Sequence, residues 1–164
     1  MTRAVLSIGS NLGDRMANLQ IAVSYFSYWL VRTSGIYETA PWGDVPQSDY
    51  LNAILIADNP SAQPSDWLDR ARAAEDAAGR VRNERWGPRT LDVDVVDIEG
   101  LTSDDPDLTL PHPRAAERAF VLLPWFDADP FAQINGHGVA SVLASLSEDE
   151  VASVTARPDL ELLT

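Results

Sequence analysis

Apolar positions along the chain fall into two patterns: short continuous runs, which suit strands, and a three-to-four-residue spacing, which suits helices. The run from Ala4 to Gly9 predicts a first strand, and the stretch that follows to Gly13 predicts a turn. Asp14 predicts the N-cap of a helix. Apolar residues then recur at helical spacing and predict one buried helical face: Leu19, Ala22, Val23, Phe26 and Leu30.

Three further strands follow from the apolar runs. Val31 to Tyr37 and Tyr50 to Ala57 predict the second and third strands, and the segment from Glu38 to Asp49 between them contains two prolines and a glycine, which favour a loop. Leu91 to Ile98 is rich in valine and isoleucine and predicts a fourth strand, which ends in a turn at Glu99-Gly100.

A second helix is predicted between the third and fourth strands. Ser65 or Asp66 is expected to cap it, and it is expected to run to about Ala78 and end at Gly79. The resulting order, β-α-β-β-α-β, is that of a ferredoxin-like core. We therefore predict an α+β fold in which helices pack on an antiparallel sheet, with extra elements after the core.

The segments after the core are less regular. Leu101 to Pro113 predicts a short strand or a loop, and Phe120 to Ala128 predicts a helix despite Pro124. Val139 to Leu146 predicts a small helix, and Val151 to Ala156 a last short strand. The sequence assigns no function to the segments beyond the helix that contains Pro124.

Composition places the chain among ordinary globular proteins. It has 164 residues, of which 45% are apolar and 23% are charged, so we expect a single domain over residues 1–164. No apolar run reaches membrane-spanning length, and the first residues turn polar too early for a signal peptide, so we expect no membrane association and a cytoplasmic location. Because the chain has no cysteine, disulfides and thiol nucleophiles are excluded.

Charge narrows the choice of ligand. The net charge of −13 disfavours binding to nucleic acid backbones. All 12 basic residues are arginine, which excludes a Walker-type lysine and a Schiff base. Eight of them lie within one region: Arg70, Arg72, Arg80, Arg82, Arg85, Arg89, Arg114 and Arg118. An acidic protein with one basic region is suited to a small polyanion.

The segment from Arg80 to Asp94 carries the most specific chemistry. Its arginines match phosphate oxygens with a planar, always-charged fork. They lead into the fourth strand, where Asp92 and Asp94 are two residues apart and therefore point to the same face. Paired carboxylates are typical ligands of Mg²⁺. Together these features predict phosphoryl transfer from a nucleotide.

Several motifs, in order along the chain, closely resemble those of the 6-hydroxymethyl-7,8-dihydropterin pyrophosphokinases of folate biosynthesis. The matching segments are residues 9–13, 37–43, 49–53, 85–96, 110–114 and 117–120. The resemblance covers nearly the whole chain and is thin only after about residue 129. It implies that the terminal pyrophosphoryl group of Mg-ATP is transferred to the 6-hydroxymethyl oxygen of the dihydropterin, with AMP as the leaving group.

The resemblance also implies roles for individual residues. Asp92 and Asp94 are expected to hold two magnesium ions, with Arg82 and Arg89 as the further catalytic residues. The residues expected to contact ATP are Glu75, Arg80, Arg82, Arg89, His112 and Arg118. Arg72 departs from the family pattern, because relatives commonly carry glutamine there, and it is expected either to add charge to the ATP side or to point to solvent.

The pterin needs a flat, mixed polar site. Tyr50 and Phe120 are expected to stack on its faces, although each alone is more typical of a core aromatic. Asn52 offers amide donors and an acceptor to the pyrimidine edge, and Thr39 adds a polar contact. The resemblance places Trp42 where the family has a bulky apolar residue over the substrate. Trp86 is expected to close over the bound ligands and exclude water.

Two alternatives remain open from the sequence. One is a non-catalytic, nucleotide-binding regulatory module on the same fold, since fold does not fix function. The other is a magnesium-dependent phosphotransferase that uses a different acceptor. In each case the partners are small molecules, and we expect a monomer.

Overall fold

The structure is a computed structural model that describes residues 3–41, 43–44, 46–79 and 89–164. Two single 3-10 turns, at Ser27–Trp29 and Ala115–Glu117, accompany the regular elements. No helix in the described ranges is long and apolar enough to cross a membrane. The strands and α-helices occur in the order β1 (Arg3–Ser10), α1 (Arg15–Phe26), β2 (Leu30–Thr33), β3 (Tyr37–Thr39), β4 (Tyr50–Asp58), α2 (Pro64–Ala77), β5 (Asp92–Ile98), β6 (Ser103–Asp105), β7 (Leu108–Leu110), α3 (Ala119–Ala128), β8 (Gln133–Ile134), β9 (His137–Gly138), α4 (Val139–Ser145), α5 (Glu148–Ala152) and β10 (Val154–Ala156).

The main sheet confirms the predicted ferredoxin-like α+β core. Its strand order is β10-β3-β4-β1-β5, with β2 also paired to β4, and every pairing is antiparallel. The two hairpins β6–β7 and β8–β9 lie outside this sheet. β1 and β4 are therefore central, and β5 lies at one end of the sheet.

The sheet is buried on both faces. Leu6, Ile8 and Leu55 point to one face, where they form a hydrophobic core with α1 and α2. Val5 and Ile56 point to the other, where α3 and α4 cover them. Because alternate residues of the central strands meet different helices, β1 and β4 read as continuous apolar runs in the sequence.

The first helix begins as predicted but ends earlier. Asp14 caps α1, and its carboxylate accepts a hydrogen bond from the Ala17 amide at 3.0 Å. The assignment of Leu30 to the buried face of this helix was wrong. The helix ends at Phe26, and Leu30 begins β2 opposite Ala57, because the chain turns through a 3-10 turn into the sheet.

The predicted second strand, 31–37, is interrupted. The Ile54 amide donates to Ser34 Oγ at 2.8 Å, so a side chain replaces the backbone acceptor at this point of the ladder. Beyond it, Gly35 N–H and the Tyr37 hydroxyl both donate to Asp127 Oδ2, at 2.8 and 2.9 Å. Burial, followed by Asp127, raises the pKa of Tyr37 to about 12, which keeps its hydroxyl a donor. The result is two strands, β2 and β3, and β3 extends two residues into the predicted loop.

The predicted N-cap of the second helix, Ser65 or Asp66, was wrong, while its predicted end at Gly79 is confirmed, because Gly79 follows the C-cap residue and has positive φ. Helix α2 begins at Pro64, with Gln63 as its N-cap. Proline is well suited to the first helical position because the amide there needs no intrahelical partner. Asp66 instead lies in the first turn, where its carboxylate accepts from the Gln63 amide at 2.7 Å. This is the return bond of a capping box, which was not predicted because Gln63 stands where a serine or threonine is usual.

Later elements differ in detail. The predicted strand or loop at 101–113 contains the β6–β7 hairpin. Helices α3 and α4 confirm the helices predicted at 120–128 and 139–146, with Pro124 inside α3. The predicted last strand, 151–156, is correct only from Val154 onwards, because α5 occupies 148–152. The β8–β9 hairpin was not predicted. It turns at Asn135 and Gly136, which both have positive φ.

The half-buried carboxylate of Asp97, on β5, leads to a prediction about stability. Burial, and secondarily the charge of Glu99, raises the pKa of Asp97 from 3.8 to about 6. The folded state therefore favours the protonated form, and this contribution to stability is lost as the pH rises from about 4 through 6. We expect Asp97→Asn to stabilise the protein by about 1–2 kcal/mol near pH 7.5, a value reduced for the carboxylate's partial exposure to water.

Urea denaturation of both proteins as a function of pH measures this difference. The gain should shrink as the pH falls through about 6 and disappear at about pH 3, below the ordinary pKa of 3.8, where the carboxyl is protonated in both states. A constant gain at every pH would show that the charge of Asp97 is not its cause.

Candidate active site

The site is built on neighbouring positions of three strands. In the antiparallel registers, Gly9 of β1 lies between Asn52 of β4 and Asp92 of β5. In the next row of the same face, Ser7 lies beside Asp94. Because strands are spaced by about 4.8 Å, the backbones at Asn52 and Asp92 are about 10 Å apart. The Asn52 amide and the two carboxylates thus border a surface formed by Gly9 and Ser7, which we call the floor of the site.

Gly9 keeps this floor open. A Cβ atom at this position would lie 3.1 Å from Asn52 Oδ1 and 3.3 Å from Tyr50 Cδ1. Both are cleft side chains, so any larger residue would displace them. The close approach also shows that the amide oxygen of Asn52 extends over Gly9.

The acidic pair lies beside Arg89. Asp92 and Asp94 are half-buried, while Val93 between them is buried against α1 and α2. Arg89 Nη1 lies 3.6 Å from Asp92 Oδ1. This pair is long and partly exposed, so it contributes little to stability. Instead it places a positive charge beside the carboxylates, where an anion could bind.

Two contacts fix the outer edge of β5. Glu75 of α2 is 4% exposed, and its Oε2 accepts from the Val93 amide at 3.0 Å. The His112 amide donates to the Val96 carbonyl at 2.7 Å. These bonds satisfy backbone groups at the edge of β5 that pair with no strand among the described residues, and they hold the segment carrying both aspartates. Glu75 therefore has a structural contact within the site, beyond the predicted role in binding a nucleotide.

His112 and Arg118 bring donors to the same region. His112 Nδ1 accepts from the Arg114 amide at 3.2 Å, which leaves Nε2 to carry the proton. Burial, and then the charge of Arg118, lowers the pKa of His112, so the ring is neutral at pH 7. Burial also lowers the pKa of Arg118, and its guanidinium lies 5.4 Å from the centre of the Phe120 ring.

The amide of Asn52 is oriented by β3. Asn52 is 4% exposed, and its Nδ2 donates to Thr39 Oγ1 at 2.9 Å and to the Tyr37 carbonyl at 3.4 Å. Both donors are thus directed away from the floor, and Oδ1 is left as the acceptor over Gly9. The predicted roles of Thr39 and Asn52 can therefore be separated, because Thr39 orients the amide that lines the cleft.

These residues surround one cleft of about 430 Å³. Its described lining includes most of the residues predicted for the site: Thr39, Tyr50, Asn52, Glu75, Arg89, Asp92, Asp94, His112, Arg118 and Phe120. Arg72, which departs from the family pattern, also lies on its wall. Four predicted site residues lie outside the described residues: Trp42, Arg80, Arg82 and Trp86.

Sequence reasoning missed Asn11. This residue is 2% exposed. Its side-chain Oδ1 accepts from the backbone amide of Arg89 at 2.8 Å, and its backbone amide donates to the Arg89 carbonyl at 3.1 Å. Its Nδ2 donates to Gln47 Oε1 at 2.7 Å and to the Ser48 carbonyl at 3.0 Å. Asn11 thus ties the backbone of Arg89 to the loop before β4. An asparagine directly after a strand in a glycine-bounded turn was the available signal.

The acidic pair fits a hard divalent cation. In the part of the chain that the structure describes, no three His, Asp or Glu side chains converge as a closed metal site. Two carboxylates beside basic groups instead match the way Mg²⁺ is bound in phosphoryl-transfer sites, where substrate phosphates and water complete the coordination. The donor set is therefore suited to a metal that arrives with a phosphorylated ligand.

Comparison with known proteins identifies relatives of this arrangement. Residues 5–130 match the sequence profile of the 7,8-dihydro-6-hydroxymethylpterin-pyrophosphokinase (HPPK) family. A protein of Mycobacterium tuberculosis (strain CDC 1551 / Oshkosh) named 2-amino-4-hydroxy-6-hydroxymethyldihydropteridine pyrophosphokinase is 47% identical over 176 aligned positions, covering 99% of this chain and 94% of the relative. A protein of the same name from Methylorubrum extorquens is 41% identical, covering 94% of this chain and 99% of the relative.

Solved structures agree on the fold. Wild-type Plasmodium falciparum HPPK-DHPS with pteroate superposes with a TM-score of 0.67 at 12% sequence identity and covers 87% of this chain. This chain spans 44% of the length of that protein, and at this identity the likeness concerns the fold alone. The profile match and the identities to the bacterial relatives carry the further conclusion: the chain belongs to the 7,8-dihydro-6-hydroxymethylpterin-pyrophosphokinase family.

Proposed function

We propose that this protein transfers the pyrophosphoryl group of Mg-ATP to the 6-hydroxymethyl group of 6-hydroxymethyl-7,8-dihydropterin, a step of folate biosynthesis that yields AMP and the pterin pyrophosphate. The observation that carries the proposal is the strand register Asn52–Gly9–Asp92. It sets the Asn52 amide, which we propose recognises the ring, and the Asp92 carboxylate, which we propose binds metal, on one open floor. A reaction between a heterocyclic alcohol and a metal–nucleotide complex requires both groups close together.

On the nucleotide side, Asp92 and Asp94 would hold two magnesium ions. Magnesium bound there would neutralise the triphosphate charge and lower the pKa of the attacking hydroxyl. Arg89 would contact phosphate oxygens through its guanidinium, and His112 would donate through Nε2 because Nδ1 is already an acceptor. Arg118 would add a second cation.

Further nucleotide roles rest on the sequence. Arg82 is proposed as a second catalytic arginine and Arg80 as an ATP contact, and both lie outside the described residues. Glu75 is proposed to orient the ribose or an arginine through its second oxygen. Its first oxygen accepts from the Val93 amide, so it would couple nucleotide binding to the strand of the acidic pair.

On the pterin side, the amide oxygen of Asn52 would accept from the donors of the pyrimidine edge. Tyr50 and Phe120 would stack on the ring, for which offset stacking of aromatic faces is favourable. Thr39 would act by orienting Asn52, to which its hydroxyl is bonded. Two further pterin contacts remain proposals from the sequence, since they lie outside the described residues: Trp42 and Trp86.

The reaction is a single displacement at phosphorus. The hydroxymethyl oxygen releases its proton to water and forms a bond to the β-phosphorus, and the bond from that phosphorus to the oxygen bridging to the α-phosphate breaks. AMP leaves with the bridging oxygen. Arg89 and Arg118 are suited to stabilise charge that develops on the transferred group, because preorganised donors cost no reorganisation during the reaction. A closed cleft would exclude water, whose attack on ATP is the competing reaction.

An assay of AMP formation with ATP and Mg²⁺, run with and without 6-hydroxymethyl-7,8-dihydropterin, tests the proposal. AMP that depends on the pterin would establish the acceptor and the attack at the β-phosphorus together. Formation of ADP, or of AMP without the pterin, would reject it.

The two alternatives give different results in related assays. A regulatory module would bind nucleotide without turnover, and this binding would survive Asp94→Ala. A phosphotransferase with another acceptor would turn over only when a non-pterin alcohol is supplied. A monomeric state and a cytoplasmic location remain proposals from the sequence.

Gly9 provides a test of the pterin side. We expect Gly9→Ala to weaken pterin binding by at least about tenfold, because the added Cβ would lie 3.1 Å from Asn52 Oδ1 and 3.3 Å from the Tyr50 ring and would displace both. Titration of the pterin against the folded variant measures the loss. Gly138→Ala is the matched control, since its Cβ would meet Ser141 Oγ at an ordinary 3.8 Å. Equal pterin affinity in the two variants would contradict the proposed position of the ring.

A further inference from the structure

The segment 154–164 lies beyond the residues that match the family profile, 5–130. We call it the strap. It begins as β10, which pairs with β3 and sets Val154 opposite Thr39 and Thr155 opposite Glu38. β3 is a strand of the cleft, because its residue Thr39 orients the amide of Asn52. The strap is therefore hydrogen-bonded directly to a strand of the cleft.

Arg157 makes the central contacts of the strap. Its amide donates to the Ile36 carbonyl at 2.8 Å, and its Nη1 donates to Glu38 Oε1 at 3.2 Å. Nε and Nη2 form a fork on the carboxylate of Asp159, at 3.0 and 2.8 Å. The fork fixes the guanidinium plane, so that its remaining nitrogen is directed at Glu38.

Glu38 links Arg157 to Arg15, which contacts the backbone next to the cleft lining. Its other oxygen, Oε2, accepts from Arg15 Nη1 at 2.8 Å. The same nitrogen of Arg15 donates to the Asp49 carbonyl at 3.0 Å. Asp49 immediately precedes Tyr50, the first residue of β4 and part of the cleft lining. One carboxylate thus joins the strap to the backbone beside a proposed stacking residue.

The far part of the strap is held on α1. The Leu163 amide donates to Gln20 Oε1 at 3.0 Å, and Gln20 Nε2 donates back to the Leu163 carbonyl. Leu162 is 7% exposed and belongs to the core beneath the sheet. The strap is therefore anchored on both sides of Arg157 and can act as a fixed support.

We propose that the strap sets the geometry of the pterin side of the cleft through the contacts Arg157–Glu38–Arg15, and that Arg157 is a positioning residue for pterin binding. This inference rests on the proposed function. None of these three residues is among the described residues that line the cleft. Their effect passes through Thr39 on β3, which accepts from the Asn52 amide, and through Asp49, which immediately precedes Tyr50.

The test is direct titration of Arg157→Ala and Glu38→Gln with the pterin and, separately, with Mg-ATP. We expect each variant to weaken pterin binding about fivefold or more and to change ATP binding by less than about twofold, because only the pterin side is displaced. Arg32→Ala is the matched control. Arg32 lies on β2 and donates to the Ala128 carbonyl at 3.4 Å, so the same charge is lost away from the strap.

Hydrogen exchange of residues 46–52 in the ligand-free protein supplies a second readout. We expect faster exchange in Arg157→Ala than in Arg32→Ala, because local opening increases where supporting contacts are lost. The double variant Arg157→Ala/Glu38→Gln should be no weaker than Glu38→Gln alone, since Arg157 acts through that carboxylate.

The outcomes separate this inference from the proposed function. A wild type that forms no pterin-dependent AMP would reject the function. Hydrogen exchange would still decide whether the strap holds the segment at the start of β4, residues 46–52. Unchanged exchange together with unchanged pterin affinity in Arg157→Ala would reject the strap even if the wild type is active. Equal losses of ATP and pterin affinity would also reject it, because they would indicate a general loss of structure.

Discussion

Asp94→Asn is expected to lower kcat for AMP formation by at least about 100-fold and to leave pterin affinity within about twofold. The substitution keeps the shape of the side chain but removes one of the two carboxylates on the cleft face of β5. Asn52 and Tyr50 lie on β4, Thr39 on β3 and Phe120 on α3, so these proposed pterin contacts should bind as before. Asp92→Asn should behave in the same way, and steady-state AMP formation with separate pterin titration measures both.

Asp97→Asn is the matched control for this experiment. It makes the same chemical change three residues further along β5, outside the described lining of the cleft. We expect it to keep normal turnover. Activity of Asp94→Asn above about a tenth of the wild type would reject the role as a metal ligand, given the several kcal/mol that a catalytic metal contributes.

Arg89→Ala is expected to cost about 2–4 kcal/mol in transition-state stabilisation, more than it costs in ATP affinity. Asn11 holds the backbone of Arg89 by two hydrogen bonds, and the guanidinium lies 3.6 Å from Asp92 Oδ1. It is therefore positioned before the substrate arrives, which favours interactions with charge that develops during the reaction. Comparison of kcat with the dissociation constant of ATP separates the two effects.

Two further variants control for charge. Arg89→Lys keeps the charge but loses the fork, so it should recover only part of the rate. Arg70→Ala removes an arginine whose guanidinium lies 4.3 Å from the Trp29 ring and which is not part of the described cleft lining, so its turnover should be normal. An unchanged kcat in Arg89→Ala would contradict the assignment.

The sequence predicted the parts of the molecule that depend on local pattern. Strands β1, β4 and β5 and helix α1 follow from apolar periodicity and from Asp14, because side-chain spacing and capping act within a few residues. The alternation of β5 also predicted that Asp92 and Asp94 share a face. Where local signals were ambiguous, prediction failed: Leu30 satisfies helical spacing but lies in a strand, and Gln63 caps a helix without a usual capping residue.

The candidate site could be predicted in membership but not in arrangement. The sequence named ten of the residues that line the described cleft, largely through their resemblance to family motifs. It could not assign Asn11 its position between Arg89 and Gln47, because that bonding joins residues distant in the chain. For the same reason it could not separate the role of Thr39, which orients an amide, from that of Asn52, which presents its oxygen to the cleft.

The sequence by itself determined the chemistry available to this protein: a lysine-free acidic chain, one region rich in arginine, and a carboxylate pair on a strand. Only the tertiary structure decided that Asn52, Gly9 and Asp92 form one row and that a strap beyond the family profile supports β3. The physical reason is that composition and periodicity are local properties. Strand register and side-chain bonding between distant segments are instead fixed by the burial of both sheet faces together.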